Sequence, residues 1–356
     1  MSGSPLLPAP RGSIVWLSTD PQAPSFRHRL APVLPGVEGL GWRNELRVLP
    51  ERLYGWRIWQ LRQVLRASSA VVLHKLRLEP WEMRLLQHLQ PRSMFDVDDA
   101  IWLRQPKYIG HERPASPRRR RNFEAACRLS RLVTVGNAEL ARHATAGGAR
   151  VEIVPTPVDA AAYPAQRSGS ASGATLAWVG LPHNLAYLAP LRPVLARLAQ
   201  RHPQLKLRVI SSDWPDWDDV PIEKVRWSAD GETAAIASAD IGLMPLSDDP
   251  FARGKCAFKL LQYMAAGLPC VASPVGANCE VVVPGQTGWL ASTPAEWEHA
   301  LDALVQQPTQ RQAMGTAGRQ RVLTHYDRPL LTGRMVRLVD RLATGQFDRP
   351  AKPRAR

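Results

Sequence analysis

The sequence predicts an α/β protein made of two doubly wound, parallel-sheet domains. Short apolar runs alternate with amphipathic stretches of helical period along both halves of the chain, the pattern of repeated βα units. Residues 164–173, PAQRSGSASG, divide the halves with the composition of a flexible linker. The 356 residues suffice for two domains of about 150–180 residues each.

In the first half, residues 13–18 form an apolar strand between Pro/Gly-rich flanks. A helix opens at Pro24 and carries Ser25, Arg27 and Arg29; arginine forks suit phosphate or carboxylate, and a surface helix start reads equally well. An amphipathic helix is expected over 56–66, a buried strand over 70–74 ending in His74 and Lys75, and a helix over 80–89. The strand from Ser93 runs into Asp96, Asp98 and Asp99. Three carboxylates in four residues are costly unless they bind something or cap a helix. Alternation puts Asp96 and Asp98 on one face if the strand persists, with Asp99 at its end. Ligands of open α/β sheets lie beyond strand carboxyl ends, so this turn is a candidate site. Helix 118–129, strand 132–136, helix 138–143 and a segment at 151–159 complete a first domain over 1–165.

The second domain is expected over 174–329. It starts with strand 176–180, ending at Gly180, whose missing side chain leaves room for a ligand's approach. A helix over about 185–201, strands at 205–210 and 225–227, a helix near 232–238 and strand 240–245 follow. Residues 245–250 form an acidic loop that carries Asp248 and Asp249. From Arg253 to Leu290 the pattern is helix, buried strand, Gly-rich loop and short strand. Ala257, Leu260, Leu261, Met264 and Ala265 make one apolar stripe, while Lys255, Lys259 and Gln262 share another face. Gly267 and Pro269 stop the helix. Lys255 is expected to begin it, and a lysine-bearing helix start is a phosphate site. The C-terminal part is helical; residues 330–344 form a last helix, and the Pro/Arg-rich 345–356 a disordered tail.

Composition narrows the function. Hydrophobic residues make up 45% of the chain, enough for packed cores. Cys127, Cys256, Cys270 and Cys279 form no Cys-x-x-Cys pair, so no disulfide framework and no zinc site is read, and a reducing cytoplasm fits. No apolar run approaches the roughly 18–20 residues of a membrane helix. The first thirteen residues lack the charged start and apolar stretch of a signal peptide. The net charge of +15 admits nucleic acid, an anionic membrane surface or phosphorylated substrates as partners. Its one dense run, Arg118 to Arg121, reads first as a solvated face, then as a contact for anionic headgroups, and last for nucleic acid, since no nucleic-acid motif accompanies it.

The stretch from Arg253 to Leu290 resembles the donor-binding signature of glycosyltransferase family 4, the retaining GT-B enzymes. Gln262-Tyr-Met-Ala-Ala-Gly267-Leu-Pro matches, as do Gly276-Ala-Asn-Cys-Glu280 and Gly285-Gln-Thr-Gly288. The family's two glutamates, seven residues apart, fall on Gly254 and Gln262, and its Arg-x4-Lys pair is missing after Gly180. Residues 151–159 resemble the segment that closes the family's first domain, with Pro157 in place of a glycine.

The resemblance implies two Rossmann-like domains facing a central cleft, with the last helix returning to the first. It implies transfer of a sugar, with retention, from a nucleotide-diphosphate sugar to a hydroxyl of a glycan or lipid-linked acceptor, without metal or cofactor. Arg253, Lys255, Lys259, Gln262, Gly180, Gly276 and Glu280 would hold the donor, Lys255 stabilising the leaving diphosphate and Gln262 the ribose; Gln262→Glu would then keep or improve binding. Asp98 and Asp99 would face sugar and acceptor, with His74 and Arg27 on the acceptor side. The enzyme would lie in the cytoplasm or on the inner face of the membrane. Three rivals stand: a nucleotide-sugar epimerase, a degenerate GT-B scaffold subunit, and a basic nucleic-acid-binding protein.

Overall fold

The computed structural model describes residues 11–104, 116–164 and 173–348. The chain is α/β, with two six-stranded parallel sheets, each in its own compact unit. Among the described residues, one unit takes in 11–104, 116–156 and 329–348, and the other 157–164 and 173–328.

The first sheet contains β1 (Gly12–Ser18), β2 (Trp42–Val48), β3 (Ala70–His74), β4 (Ser93–Val97), β5 (Leu132–Val135) and β6 (Val151–Ile153), in the order β2-β1-β3-β4-β5-β6. β3 and β4 are buried at every position, as expected for strands covered on both faces. The second contains β7 (Thr175–Val179), β8 (Lys206–Ser211), β9 (Ile222–Arg226), β10 (Ile241–Met244), β11 (Cys270–Ala272) and β12 (Gly288–Leu290), in the order β12-β11-β10-β7-β8-β9. Counted from its own start, that is the 3-2-1-4-5-6 order of dinucleotide-binding sheets. Strand order reverses between β1 and β3 in the first sheet and between β7 and β10 in the second. Crevices at such reversals are where open α/β sheets bind ligands.

Local signals set the helix ends. Glu79 and Glu82 form a reciprocal capping box on the helix Pro80–Leu89, and Thr293 with Glu296 does the same on Pro294–Gln306. The stretch 56–66 is two helices, Tyr54–Gln60 and Arg62–Ala67, broken at Leu61, whose ψ of 5° departs from helical values. The stretch 185–201 is three pieces, because Pro190 and Pro193 each remove a backbone donor.

The helix Arg328–Ala343 belongs almost wholly to the first unit. Its Leu331, Met335, Leu338, Val339 and Leu342 share a core with Ile14 and Trp16 of β1 and Phe26. Each such side chain contributes about 1.5–3 kcal/mol when fully buried. The expected disordered tail does not begin at Gly345. Phe347 is buried, flanked by the guanidinium groups of Arg150 at 4.6 Å and Arg341 at 4.7 Å, and Asp348 pairs with Arg92 at 2.9 Å. The rest of that tail, 349–356, and linker positions 165–172 lie outside the described residues.

Candidate active site

Parallel register builds the first site. Ser18 pairs with His74, His74 with Asp96, and Asp96 with Thr134, one row across four strands near their carboxyl ends. All four are buried polar residues, so each needs a partner. Asp96 collects three: Arg29 Nε at 2.9 Å to both oxygens, Thr134 Oγ1 at 2.6 Å, and His74 Nδ1 at 3.2 Å. Burial raises the Asp96 carboxyl, but the Arg29 charge and the His74 contact outweigh it and hold the group ionised, well below the usual range. Arg29 also donates to the Val154 carbonyl at 2.5 Å. The second arginine of the Ser-x-Arg-x-Arg pattern thus meets an internal carboxylate. Arg27, one of the expected acceptor-side residues, is half-buried on the same short helix, Pro24–Arg29. Ser25 on this helix lies 3.0 Å from His74 Nε2.

The other two carboxylates have one cation between them. Lys75 Nζ lies 2.9 Å from Asp98 Oδ1 and 2.6 Å from Asp99 Oδ2. Lys75 reaches both from a left-handed backbone, φ 53°, an uncommon conformation for a residue with a side chain. Burial opposes its charge, yet the two carboxylates raise its pKa. Burial raises Asp98, and Lys75, His74 and Arg29 outweigh it to lower it. β4 ends at Val97, so Asp98 and Asp99 occupy the turn beyond it. The expected cost of three adjacent carboxylates is offset inside the unit, by Arg29 and Lys75.

The second site forms where β7 and β10 end. Lys255 does not begin a helix. It lies in the link between Pro250–Arg253 and Phe258–Ala265, because Ala257 takes a left-handed conformation, φ 51°, as the N-cap. From there Lys255 Nζ sits 5.5 Å from the centre of the Tyr187 ring and 5.1 Å from that of Phe251. Burial lowers the His183 pKa, and the Lys255 charge lowers it further. Lys255 is therefore beside the loop that follows β7. Arg253 is held by Asp248 through contacts of 2.6 and 2.9 Å. Asp249 caps the Pro250–Arg253 helix, accepting from Phe251 and Ala252 N–H. The acidic loop is thus tied to Arg253 and to a helix start.

Lys259 and Gln262 meet a residue that the signature did not indicate. Lys259 Nζ lies 3.0 Å from Glu232 Oε1, Gln262 Nε2 donates to Glu232 Oε2 at 3.0 Å, and Lys259 donates to Gln262 Oε1 at 3.1 Å. Burial raises the Glu232 carboxyl, while Lys259 and the hydrogen bonds from Lys259, Gln262 and Trp227 outweigh it and keep it ionised. The stripe of Ala257, Leu260, Leu261, Met264 and Ala265 is buried in the unit's core.

Two glycines serve the backbone. A Cβ on Gly180 would lie 2.4 Å from the Trp178 indole, so the missing side chain makes room for Trp178. One on Gly276, at φ 51°, would lie 2.4 Å from the Arg253 carbonyl oxygen, which brings these two signature residues together. Glu280 is exposed on the short helix Asn278–Val281, and its carbonyl accepts from Arg321 at 2.7 Å. In the arginine run, Arg118 and Arg121 both pair with Glu79, Arg120 pairs with Glu124 at 2.9 Å, and Arg119 donates to the Leu103 carbonyl at 2.8 Å. Among the described residues no group of three or more His, Cys, Asp or Glu side chains is set to hold a metal ion.

Residues 191–328 match the family model described as glycosyl transferase-like. A D-inositol 3-phosphate glycosyltransferase from Pseudarthrobacter chlorophenolicus is 29% identical over 232 residues, which cover 56% of this chain and 54% of the relative. The chain thus spans about half the length of this curated relative. Sucrose-phosphate synthase from Thermosynechococcus elongatus superposes with a TM-score of 0.72 at 14% identity, over 94% of this chain and 100% of that one. Anabaena HepE, solved with UDP and glucose, gives 0.64 at 13% identity, over 92% and 99%. These likenesses place the fold among the GT-B structures.

Proposed function

We propose that the chain is a glycosyltransferase that moves a sugar from a nucleotide-diphosphate sugar to a hydroxyl of a glycan or lipid-linked acceptor, as a retaining enzyme of the family 4 type. The observation that carries this reading is Lys255. It stands beside the loop after β7, at the strand reversal of the unit that contains the glycosyl transferase-like match. Breaking the C1–O bond to a diphosphate leaves negative charge on the leaving group. A cation placed there stabilises the transition state more than the ground state. Gln262, with Glu232 and Lys259, would receive the ribose. Arg253, Gly276 and Glu280 would shape the remaining donor wall, and Asp98, Asp99, His74 and Arg27 the acceptor side. HepE, solved with UDP and glucose, is the basis for trying UDP-sugars first. No cofactor is required. Thermal shift with UDP, GDP and ADP, followed by slow sugar release from the matching nucleotide sugar, tests this. Nucleotide binding without turnover would favour the scaffold reading; no nucleotide binding at all would overturn both.

A second reading concerns location: a cytoplasmic enzyme held at the inner face of a membrane. Here the exposed Leu53, Trp56, Trp59 and Trp81 support it better than the arginine run, in which Arg118, Arg120 and Arg121 are paired with Glu79 and Glu124. Trp56 and Trp59 are one turn apart on the helix Tyr54–Gln60, with Arg57 and Arg62 stacked on them at 4.9 and 4.1 Å. Trp81 packs against Gly55 of the same helix. Aromatics beside arginines suit the interface of an anionic membrane.

A further inference from the structure

Tyr187 stands apart from the other buried tyrosines of the second unit. It lies on the short helix Leu185–Leu188 that follows β7, 8% exposed, and its hydroxyl has no hydrogen-bond partner among the described residues. The others are engaged. Tyr263 Oη accepts from Val179 N–H at 3.0 Å, Tyr326 donates to the Glu280 carbonyl at 3.5 Å, and Tyr163 is hydrogen-bonded to Gln262 and Thr233. Buried polar groups are nearly always paired, so an open one beside a cation is a place for a ligand atom. Lys255 Nζ is that cation, 5.5 Å from the centre of the Tyr187 ring and 5.1 Å from that of Phe251. Burial raises the Tyr187 pKa and the Asp249 charge raises it further, so the hydroxyl keeps its proton and can donate. Asp249 is already taken up by Ser247 Oγ and by Phe251 and Ala252 N–H. From Gly180 to Leu191 the sequence has no lysine or arginine, and His183, Asn184 and Tyr187 are its polar side chains. The atom that satisfies Tyr187 must accept a hydrogen bond, and beside Lys255 it gains by being negative. A phosphate oxygen meets both demands.

We propose that Tyr187 donates its hydroxyl to the outer phosphate of the nucleoside diphosphate, the one that parts from the sugar, and so sets a preference for diphosphates over monophosphates. The inference rests on the transferase reading above and deepens it at the donor site. Every group it needs belongs to the second unit. Lys255 supplies charge and Tyr187 supplies direction, since an ammonium on a flexible stem can turn while a phenol oxygen is fixed by its buried ring. Tyr187 moves no proton. Its hydrogen bond strengthens as negative charge gathers on the phosphate during bond breaking, which favours the transition state over the bound donor. Tyr187 touches the substrate in this scheme and is a catalytic residue.

The test is Tyr187→Phe in the full chain, which removes the oxygen and keeps the ring beneath Lys255. Titration calorimetry measures affinity for UDP, GDP and ADP and for the matching monophosphates, beside thermal melts and sugar release to water from the corresponding nucleotide sugars. The wild type should bind one of the diphosphates more tightly than its monophosphate. Tyr187→Phe should weaken that diphosphate about tenfold or more, the range for a hydrogen bond to a charged group, and leave the monophosphate unchanged. Turnover should fall about 100-fold. The melting temperature should hold or rise, because an unpaired buried hydroxyl is gone. A variant that binds the diphosphate and turns over like the wild type overturns the inference and leaves the transferase reading intact. An equal loss for diphosphate and monophosphate does the same, since the contact is then not to the outer phosphate. A variant that melts far below the wild type also overturns it, by making the hydroxyl structural. A wild type that binds none of the nucleotides overturns the transferase reading, and this inference with it.

Discussion

Gln262 Nε2 and Glu232 Oε2 are 3.0 Å apart, so the amide on one helix completes a carboxylate carried by another. This pairing reverses the expectation that Gln262→Glu would keep or improve nucleotide binding. A glutamate there removes the Nε2 donor and sets a second carboxylate beside Glu232 in a buried setting, a like-charge contact that Lys259 has to offset alone for both. Gln262→Glu should lower thermal stability and UDP affinity, and Glu232→Gln in the same chain should recover both. Calorimetric melts and nucleotide titration of the single and double variants check this. Additive losses would show that the two positions are independent.

Lys255→Ala should lower turnover by about two to three orders of magnitude, the cost of one preorganised donor to developing charge being about 2.7–4 kcal/mol. Its ammonium rests on ring faces, and it lies outside the helix, so the melting temperature should change little. Nucleotide-sugar hydrolysis measured beside thermal melts separates the two effects. A large loss of stability with normal turnover would mark the lysine as structural.

Asp99→Asn should reduce transfer strongly while leaving UDP affinity nearly intact, because Asp99 belongs to the other unit's acidic turn and Lys75 keeps Asp98 as a partner. Weakened nucleotide binding in this variant would argue against an acceptor-side role.

Acid should unfold the first unit early. Asp96 and Asp98 both have folded pKa values below their ordinary 3.8. The unfolded chain therefore binds more protons in the interval between the two values, and stability rises with pH there. Their contribution is full above the unfolded value and is lost as pH falls toward the folded ones. Asp96→Asn should flatten this slope and break the buried Arg29–Asp96 ion pair, at a cost of about 3–5 kcal/mol. Urea unfolding at a series of pH values reads both. An unchanged acid slope in a folded Asp96→Asn protein would remove the claim.

Trp56→Ala with Trp59→Ala should weaken binding to vesicles containing phosphatidylserine, and added salt should weaken it in the wild type. Vesicle sedimentation in which anionic and neutral lipid behave alike would dismiss the membrane reading.

What the residue order alone conveyed divides along physical lines. β3 and the helix Pro80–Leu89 were legible to the residue, because an apolar run and a proline mark them locally. The apolar stripe of Phe258–Ala265 was legible from its period. The helix start was not, since Ala257 takes a positive φ that no glycine announces. Glu232 was invisible as a site residue because its partner lies 30 positions on and only tertiary packing joins them. Asp96 could be placed at a strand end, but its partner Arg29 lies 67 positions away, so its role as a buried hub appeared only with the fold.

The helix Arg328–Ala343 also governs how the chain can fold. It fills the core of a unit whose first strand begins at Gly12, with the whole second unit encoded between them. On the ribosome the first sheet must therefore wait, its apolar surface incompletely covered, until the last of these helices emerges. The second unit needs nothing from beyond Arg328 and can reach its native state sooner. Contacts of such sequence separation close slowly. The interval leaves the first sheet open to chaperones and to aggregation, and a chain truncated before Leu331 would keep it so.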